Sequence, residues 1–448
     1  MQAPLTVLDL ISRLEQAGFS AYAVGGCVRD SLLGLVPHDW DLCTSAPPEQ
    51  IRQVFRNYRT VDTGLKHGTL TVIVDHIPYE ITTFRTDGPY TDHRHPDSVS
   101  FVDNLREDLA RRDFTVNAMA WSPSAGLQDL FRGREDLEAR VIRCVGDPEQ
   151  RFSEDALRVL RALRFASVYD FQVESATAAA LRRMAPDLSH VAGERIREEL
   201  LKLLCGKACG RILREYPEVF GVLLPDLCPM FGYDQQNPHH RFDLWEHTVR
   251  GVEGVPPDPL LRLTMLLHDT GKPVVRTTDE HGVGHYLGHQ KASAEIAMKA
   301  ADRLHLDNVF RDRLYTLVLH HDTPLRTQSG EVDTRPSFLL RRLNRFGEEN
   351  LRALFLIHRS DRMATGISSE EKEDARFRLR MEALDALLAS RPCFTLKDLA
   401  VNGRDAVAAG LRGPAVGKAL QALLEAVMDG RLPNEREPLL EELSRFPC

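Results

Sequence analysis

Over residues 1–150 the apolar positions fall in short runs. Thr69-Leu-Thr-Val-Ile-Val74 and Glu80-Ile-Thr-Thr-Phe84 are rich in β-branched residues and bounded by Gly, Pro or Asp, the pattern of strands. Beyond Arg151 the spacing changes. Leu157, Leu160 and Leu163, and later Leu200, Leu203 and Leu204, recur at intervals that line one face of a helix. The pattern predicts an α+β head followed by helices alone. Pro217, Pro225 and Pro229, then Gln-Gln-Asn-Pro from Gln235 to Pro238, interrupt the helical spacing, and Ala364 to Ser369 interrupts it again. Four regions are expected: a head over 1–150, a helical neck over 151–225, a helical body over 226–370 and a helical tail over 371–448.

A chain of 448 residues with 43% hydrophobic and 27% charged positions has enough apolar material for several packed cores and is not the composition of a disordered protein. Its longest apolar runs, such as Leu351 to Ile357, are broken by charge well before membrane-spanning length. The opening Met-Gln-Ala-Pro-Leu lacks the basic and apolar segments of an export signal, so the cytoplasm is the expected compartment. Eight cysteines without a Cys-x-x-Cys pair argue against a disulfide framework and against a thiolate zinc site. A net charge of −8 excludes indiscriminate coating of nucleic acid, because such binding rests on neutralised phosphates. Contact with a polyanion must be local, and Arg111-Arg112, Arg158, Arg161 and Arg164, and Arg341-Arg342 with Arg345 are the basic clusters available.

Val24-Gly-Gly-Cys-Val-Arg-Asp30, followed by His38-Asp39-Trp-Asp41, carries the densest chemistry. Two glycines after an apolar run let backbone approach a phosphate, and Arg29 adds a fork of donors for its oxygens. Asp39 and Asp41 lie two apart, so on a strand both carboxylates share one face and can hold a hard cation such as Mg2+ together with phosphate oxygens. That is the equipment for in-line nucleotidyl transfer. Glu80 reads equally well as a further carboxylate or as a solvated strand residue and stays outside the set.

These segments resemble the class II CCA-adding enzymes and bacterial poly(A) polymerases, within the DNA polymerase beta nucleotidyltransferase superfamily. The resemblance rests on Gly25-Gly26-x-Val28-Arg29-Asp30, the Asp39-x-Asp41 pair, Glu80 to Arg85, Arg111-Arg112-Asp-Phe-Thr-Val-Asn-Ala118, Arg151 to Phe165 and Glu194-Arg195-Ile. It implies a polymerase-beta-like head with a small mixed sheet, template-independent addition of CCA to the 3′ end of tRNA from CTP and ATP, and RNA rather than DNA as the polymer. Carried over, Gly26 and Arg29 would contact the nucleotide, Asp39 and Asp41 the metal, and Arg112 the triphosphate or sugar. Asp155, Arg158, Arg161 and Arg164 would complete the pocket. The polar stretch between Arg85 and Phe101 corresponds to a loop implicated in the switch from C to A.

Asp155 and Arg158, at i and i+3, are neighbours on a helix. Cytosine and adenine each present an amino donor beside a ring-nitrogen acceptor, which an adjacent carboxylate and guanidinium can match; guanine and uracil present the opposite order. An intrahelical salt bridge is the other reading. Poly(A) addition and partial addition, of CC or A alone, use the same head, although no strongly basic extension favours long tails.

Histidines crowd between His239 and His321. Trp245-Glu-His247, His268-Asp269-Thr-Gly-Lys272, Gly288-His289 and His320-His321-Asp322, with Ser360-Asp361 beyond, resemble the HD phosphohydrolase superfamily. The resemblance implies His247, His268, Asp269 and Asp361 as ligands of a second, transition-metal site, with His289 and His320 or His321 as additions. Either a metal-dependent phosphohydrolase or a retained scaffold fits, and an HD hydrolase with a nucleotide-binding head is the remaining alternative for the whole chain. The tail from Leu396 to Asp405, with Gly410 and Gly413, resembles the end of such enzymes and would help hold tRNA.

Overall fold

The computed structural model describes residues 2–64, 67–88, 98–325 and 331–446, and the chain divides into two compact units, Met1–Pro225 and Asp226–Cys448. In the first, α1 (Leu5–Gln16) turns Val7, Leu10, Ile11 and Leu14 inward, a helical stripe that covers the sheet. The strands of the head are β1 (Ala21–Val24), β2 (Leu42–Thr44), β3 (Arg59–Gly64), β4 (Thr69–Val74), β5 (Ile77–Thr83), β6 (Arg85–Asp87), β7 (Val99–Phe101), β8 (Met119–Ser122) and β9 (Gly126–Asp129). Seven of them form one mixed sheet in the order β3-β4-β5-β2-β1-β8-β9. Only β2 and β5 run parallel, with Leu42 opposite Ile81; β1 pairs antiparallel with β2 and β8. β6 and β7 form a separate ribbon that flanks the Arg85–Phe101 segment, whose middle, residues 89–97, lies outside the described residues.

Helices α2 (Gly26–Leu32), α3 (Pro48–Val54), α4 (Leu105–Ala110) and α5 (Gly133–Glu138) dress the sheet. Val24, Cys43, Phe84, Leu109, Ala118 and Ala120 pack into a core beneath the carboxylate end. Gly133 is sterically required: a Cβ there would lie 2.2 Å from the Thr115 carbonyl oxygen, which locks α5 against the segment following Arg111-Arg112.

The neck comprises α6 (Pro148–Glu154), α7 (Leu157–Tyr169), α8 (Ser175–Met184) and α9 (Gly193–Leu204). Among the described residues, strand past Arg151 is confined to two-residue pairs, such as Gln172–Val173 on Val141–Ile142. In the second unit Leu244–Gly254 and Pro259–Leu267, capped by Asp243 and Asp258, pack with His289–Arg303, Asn308–His320 and the long helix Pro336–Ala364. Gly347 interrupts that last helix with φ 72°. Among the described residues no helix is long and apolar enough to cross a membrane.

Candidate active site and histidine cluster

At the end of β1 the chain turns sharply on Gly25, whose φ of 80° and ψ of −125° lie where side chains are disfavoured. A Cβ there would sit 3.1 Å from Arg112 Nη1. Helix α2 starts at the next residue, Gly26, with no side-chain cap on its first turn, which leaves its first N–H groups without intrahelical partners. Beside it the Val24 N–H donates to the Asp41 carbonyl at 3.0 Å, extending the β1–β2 ladder by one residue. Asp39 and Asp41 therefore occupy the extended lead-in to β2 rather than the strand itself. The alternation survives: Trp40 and Leu42 are buried while both aspartates are exposed on the same side.

Glu80, on the neighbouring β5, completes the group that Asp39 and Asp41 begin. Although the Asp41 residue keeps solvent access, desolvation of its carboxyl and then the charge of Glu80 push it upward, Arg112 pulls it down, and Asp39 adds a smaller upward push. Crowded carboxylates of this kind are relieved by a cation. The sequence carried a signal for Glu80, a lone acid one residue before an apolar strand position, but strand acids are common. Arg112 itself is anchored by Asp108, fully buried, which also takes Arg111 at 2.6 Å. Burial opposes ionisation of Asp108, yet the two guanidiniums hold it below its usual value.

The neck departs from the sequence reading at Asp155. Helix α6 ends at Glu154, and Asp155 has extended backbone, φ −145° and ψ 104°. Its carboxylate accepts from the Leu157 N–H at 3.1 Å, the bond of an acid that starts a helix, so the continuous helix expected through 154–165 breaks there. Neither does an intrahelical pair form between Asp155 and Arg158. Arg195 takes Asp155 at 2.8 and 3.3 Å, and Glu154 takes Arg158 at 2.6 Å. Arg161 grips Asp113 through Nε and Nη2 at 3.0 and 2.7 Å and reaches Glu199, which also pairs with Arg164. Burial would raise Asp113, but Arg161 and the Asn117 amide hold it far below the carboxylate range. Arg29 is buried and donates to Asn117 and Asp30. One polar network thus joins Arg29, Arg161 and Arg164, with Asp113 and Asn117 between them.

In the second unit His268 and Asp269 follow directly on Pro259–Leu267. His247, His268, Asp269 and Asp361 bring one ligand atom each within 4.8 Å of one another, and so do Asp269, His289 and His321. His247 Nε2 lies 3.1 Å from Asp361 Oδ1 and 3.2 Å from Asp269 Oδ2, and 3.3 Å from His268 Nε2. Ligands bound at 2.0–2.2 Å around one ion stand about 2.9–3.4 Å apart, so the spacing fits a transition metal. The Nδ1 atoms of His268, His289 and His321 each meet a backbone carbonyl at 2.7–2.8 Å, which fixes the proton on Nδ1 and aims Nε2 inward. Burial lowers His268, but Asp269 and Asp361 outweigh it and lift it to about 10. Metal-free, protons hold these carboxylates, and a cation displaces them on binding.

His321, not His320, joins the cluster. His320 instead packs on Phe346 and meets Arg345. Lys272, which closes the His268-Asp269-Thr-Gly-Lys272 motif without a role assigned to it there, lies one helical turn past Asp269 and contacts its Oδ2 at 2.6 Å. A cavity of about 300 Å³ opens beside the cluster, lined by Asp269, Lys272, Tyr286, His289, His321 and Asp361.

Sequence models of four families match the chain: the poly A polymerase head domain over residues 21–143, the RNA and SrmB-binding site of polymerase A over 170–230, the HD domain over 253–366, and tRNA nucleotidyltransferase domain 2 over 344–443. The CCA-adding enzyme of Levilactobacillus brevis is 36% identical over 432 residues, which span 96% of this chain and 95% of the relative. That of Limosilactobacillus fermentum is 53% identical over 199 residues, 44% of this chain and 49% of the relative. Among solved structures, the Bacillus stearothermophilus CCA-adding enzyme in complex with CTP superposes with a TM-score of 0.70 at 31% identity, covering 99% of this chain and 97% of that one. The Thermotoga maritima CCA-adding enzyme complexed with tRNA shares the fold, with a TM-score of 0.59 at 21% identity over 98% of this chain and 94% of that one.

Proposed function

Since this chain belongs to the CCA-adding enzymes, we propose that it adds C, C and A to the 3′ end of tRNA from CTP and ATP with release of pyrophosphate, using the residues around Asp41. Family members depend on a divalent metal, and Mg2+ is the ion that the all-oxygen group of Asp39 and Asp41, with Glu80, suits best. Such an ion, when bound, neutralises charge on the attacking 3′-oxygen and on the departing pyrophosphate. The chain's own residues do the rest. The Gly25 turn and the free N–H groups opening α2 at Gly26 take phosphate oxygens, as helix starts do. Arg29 and Arg112, with Arg161 and Arg164, hold the triphosphate and sugar. Asp155 accepts from the exocyclic amine of cytosine or adenine while Arg158 donates to the ring nitrogen, so the protein replaces a template strand.

The observation that carries this reading is the register of β2 on β5, Leu42 opposite Ile81, which sets Glu80 level with Asp41 in the neighbouring strand, where Arg112 and Asp39 also act on the Asp41 carboxylate. The test is incubation with tRNA ending before CCA, CTP and ATP being supplied separately and together. Extension by two with CTP alone and by three with both is expected; a long adenylate tail, or no extension, would refute it. The cytoplasm, where tRNA is processed alongside translation, is the proposed location.

The histidine cluster supports a second, separate activity. His247, His268, Asp269 and Asp361 hold a transition metal on this reading, and Lys272 beside the cavity attracts an anionic phosphoester. No ligand is shared with the head. Metal-stimulated release of phosphate from small phosphoesters, surviving when addition is disabled, is the result that supports it.

A further inference from the structure

Three of the arginines assigned above to the nucleotide converge on one ring. The guanidinium carbon of Arg164 lies 3.7 Å from the centroid of Phe165, that of Arg29 5.0 Å and that of Arg161 5.5 Å. Phe165 is buried, with 3% of its surface exposed. Phe114 meets it edge-on at 5.7 Å and 79°. Tyr169, one helical turn along α7, stacks on it at 6.1 Å and 18° and carries Arg29 at 4.7 Å. The Tyr169 hydroxyl donates to Asp30 Oδ1 at 2.9 Å, the same atom that accepts from Arg29 Nε. Like charges so close repel: burial first and Arg161 second weigh against the charged form of Arg164, and Glu199 opposes them.

We propose that Phe165 is a positioning residue for nucleotide binding, an aromatic platform that helps three guanidiniums gather without taking any N–H beyond those already given to their carboxylate and amide partners. Carboxylates can neutralise guanidiniums only by taking their in-plane N–H groups, as Asp113 does with two bonds from Arg161. A ring attracts the same cation through its electron-rich face and takes no further N–H, so the Nη hydrogens not already given to Asp30, Asn117, Asp113 and Glu199 remain for phosphate. Leucine at 165 would fill the space and supply none of that attraction. The sequence placement agrees, since Arg161, Phe165 and Tyr169 succeed one another at i+4 on α7 and form one face.

The inference rests on the reading that these arginines meet the nucleotide, and the test separates the two. Full-length protein carrying phenylalanine with one, two or three ring fluorines at position 165 keeps its size while the ring's electron density falls. Binding of CTP with Mg2+ is measured by calorimetry, KM and kcat for CTP on tRNA lacking CCA are measured alongside, and thermal unfolding checks the fold. CTP affinity should fall stepwise, to about tenfold across the series, with KM rising, kcat nearly constant and the unfolding temperature unmoved. Phe165→Leu should lie at the weak end of the same trend. Arg29→Ala and Arg164→Ala are the controls. If they lose CTP binding while the fluorine series stays flat, the platform role is wrong and the arginine assignment stands. If they bind CTP like the parent, the arginine assignment fails and takes the platform with it.

Discussion

Arg195→Met should loosen base selection more than it lowers overall activity. In the parent, Arg195 clamps Asp155 at 2.8 and 3.3 Å, and the two side chains are 25% and 16% exposed. Hydrogen bonds between charged groups contribute about 1.5–3 kcal/mol when well shielded, and partial solvent access brings this pair nearer about 1–2 kcal/mol. Methionine keeps the stem's packing and removes the clamp. Asp155 retains its bond to the Leu157 N–H, so the helix start survives, but the second carboxylate oxygen is free to turn. On the proposed reading of Asp155 as the acceptor for cytosine and adenine, loss of the clamp should reduce the ratio of CTP to UTP incorporation by about five- to thirtyfold, that energy converted at 1.4 kcal/mol per decade. Rates for all four nucleotides on tRNA lacking CCA measure the ratio. Arg195→Lys, which can restore one bond, should recover part of it. A ratio equal to the parent's, alongside a lowered unfolding temperature, would mean that Arg195 braces the neck and leaves base reading to other residues.

Asp39→Ala or Asp41→Ala should cut CMP incorporation by about two to four orders of magnitude, the scale of lost transition-state electrostatics, with an unchanged circular dichroism spectrum; near-parental incorporation would rule out the carboxylate assignment. His268→Ala should abolish metal-stimulated phosphoester hydrolysis and spare CMP incorporation, both read on the same preparation. Asp113, held far below its ordinary range, contributes stability that is complete above about pH 4–5 and is lost as pH falls further, because the unfolded carboxyl takes up its proton first. Asp113→Asn should therefore cost about 3–5 kcal/mol near neutrality, the loss expected on breaking a buried pair, and should flatten the fall in unfolding temperature between pH 5 and pH 3. Gly133→Ala should destabilise the head strongly in denaturant titrations, since the added Cβ meets the Thr115 carbonyl at 2.2 Å.

Periodicity revealed the mixed head and the helices behind it because β-branched runs and three-to-four spacing report burial directly. What it could not register was Asp155. The apolar positions on either side keep helical phase across 154–157, and the break is made by one side-chain bond to Leu157 N and an ion pair from Arg195, forty residues away. Glu80 was ambiguous for a similar reason: its meaning comes from the parallel pairing of β2 with β5, a crossover no local pattern announces. The histidine cluster was more legible, since metal-type ligands are rare enough to stand out. Choosing His321 over its neighbour, however, required knowing which of two adjacent rings turns toward His289 at the end of Asn308–His320.

Asp269 offers its two oxygens in opposite directions. Oδ2 faces His247, His268 and Lys272, whereas Oδ1 faces His289 and His321. The two halves of the cluster are therefore joined through the O–C–O unit of one carboxylate. Removing His289 or His321 leaves the four-ligand group of His247, His268, Asp269 and Asp361 complete; removing the Asp269 carboxylate takes a ligand from both groups. Substitutions around the cluster should accordingly sort by the group they disturb, with position 269 alone counted in both.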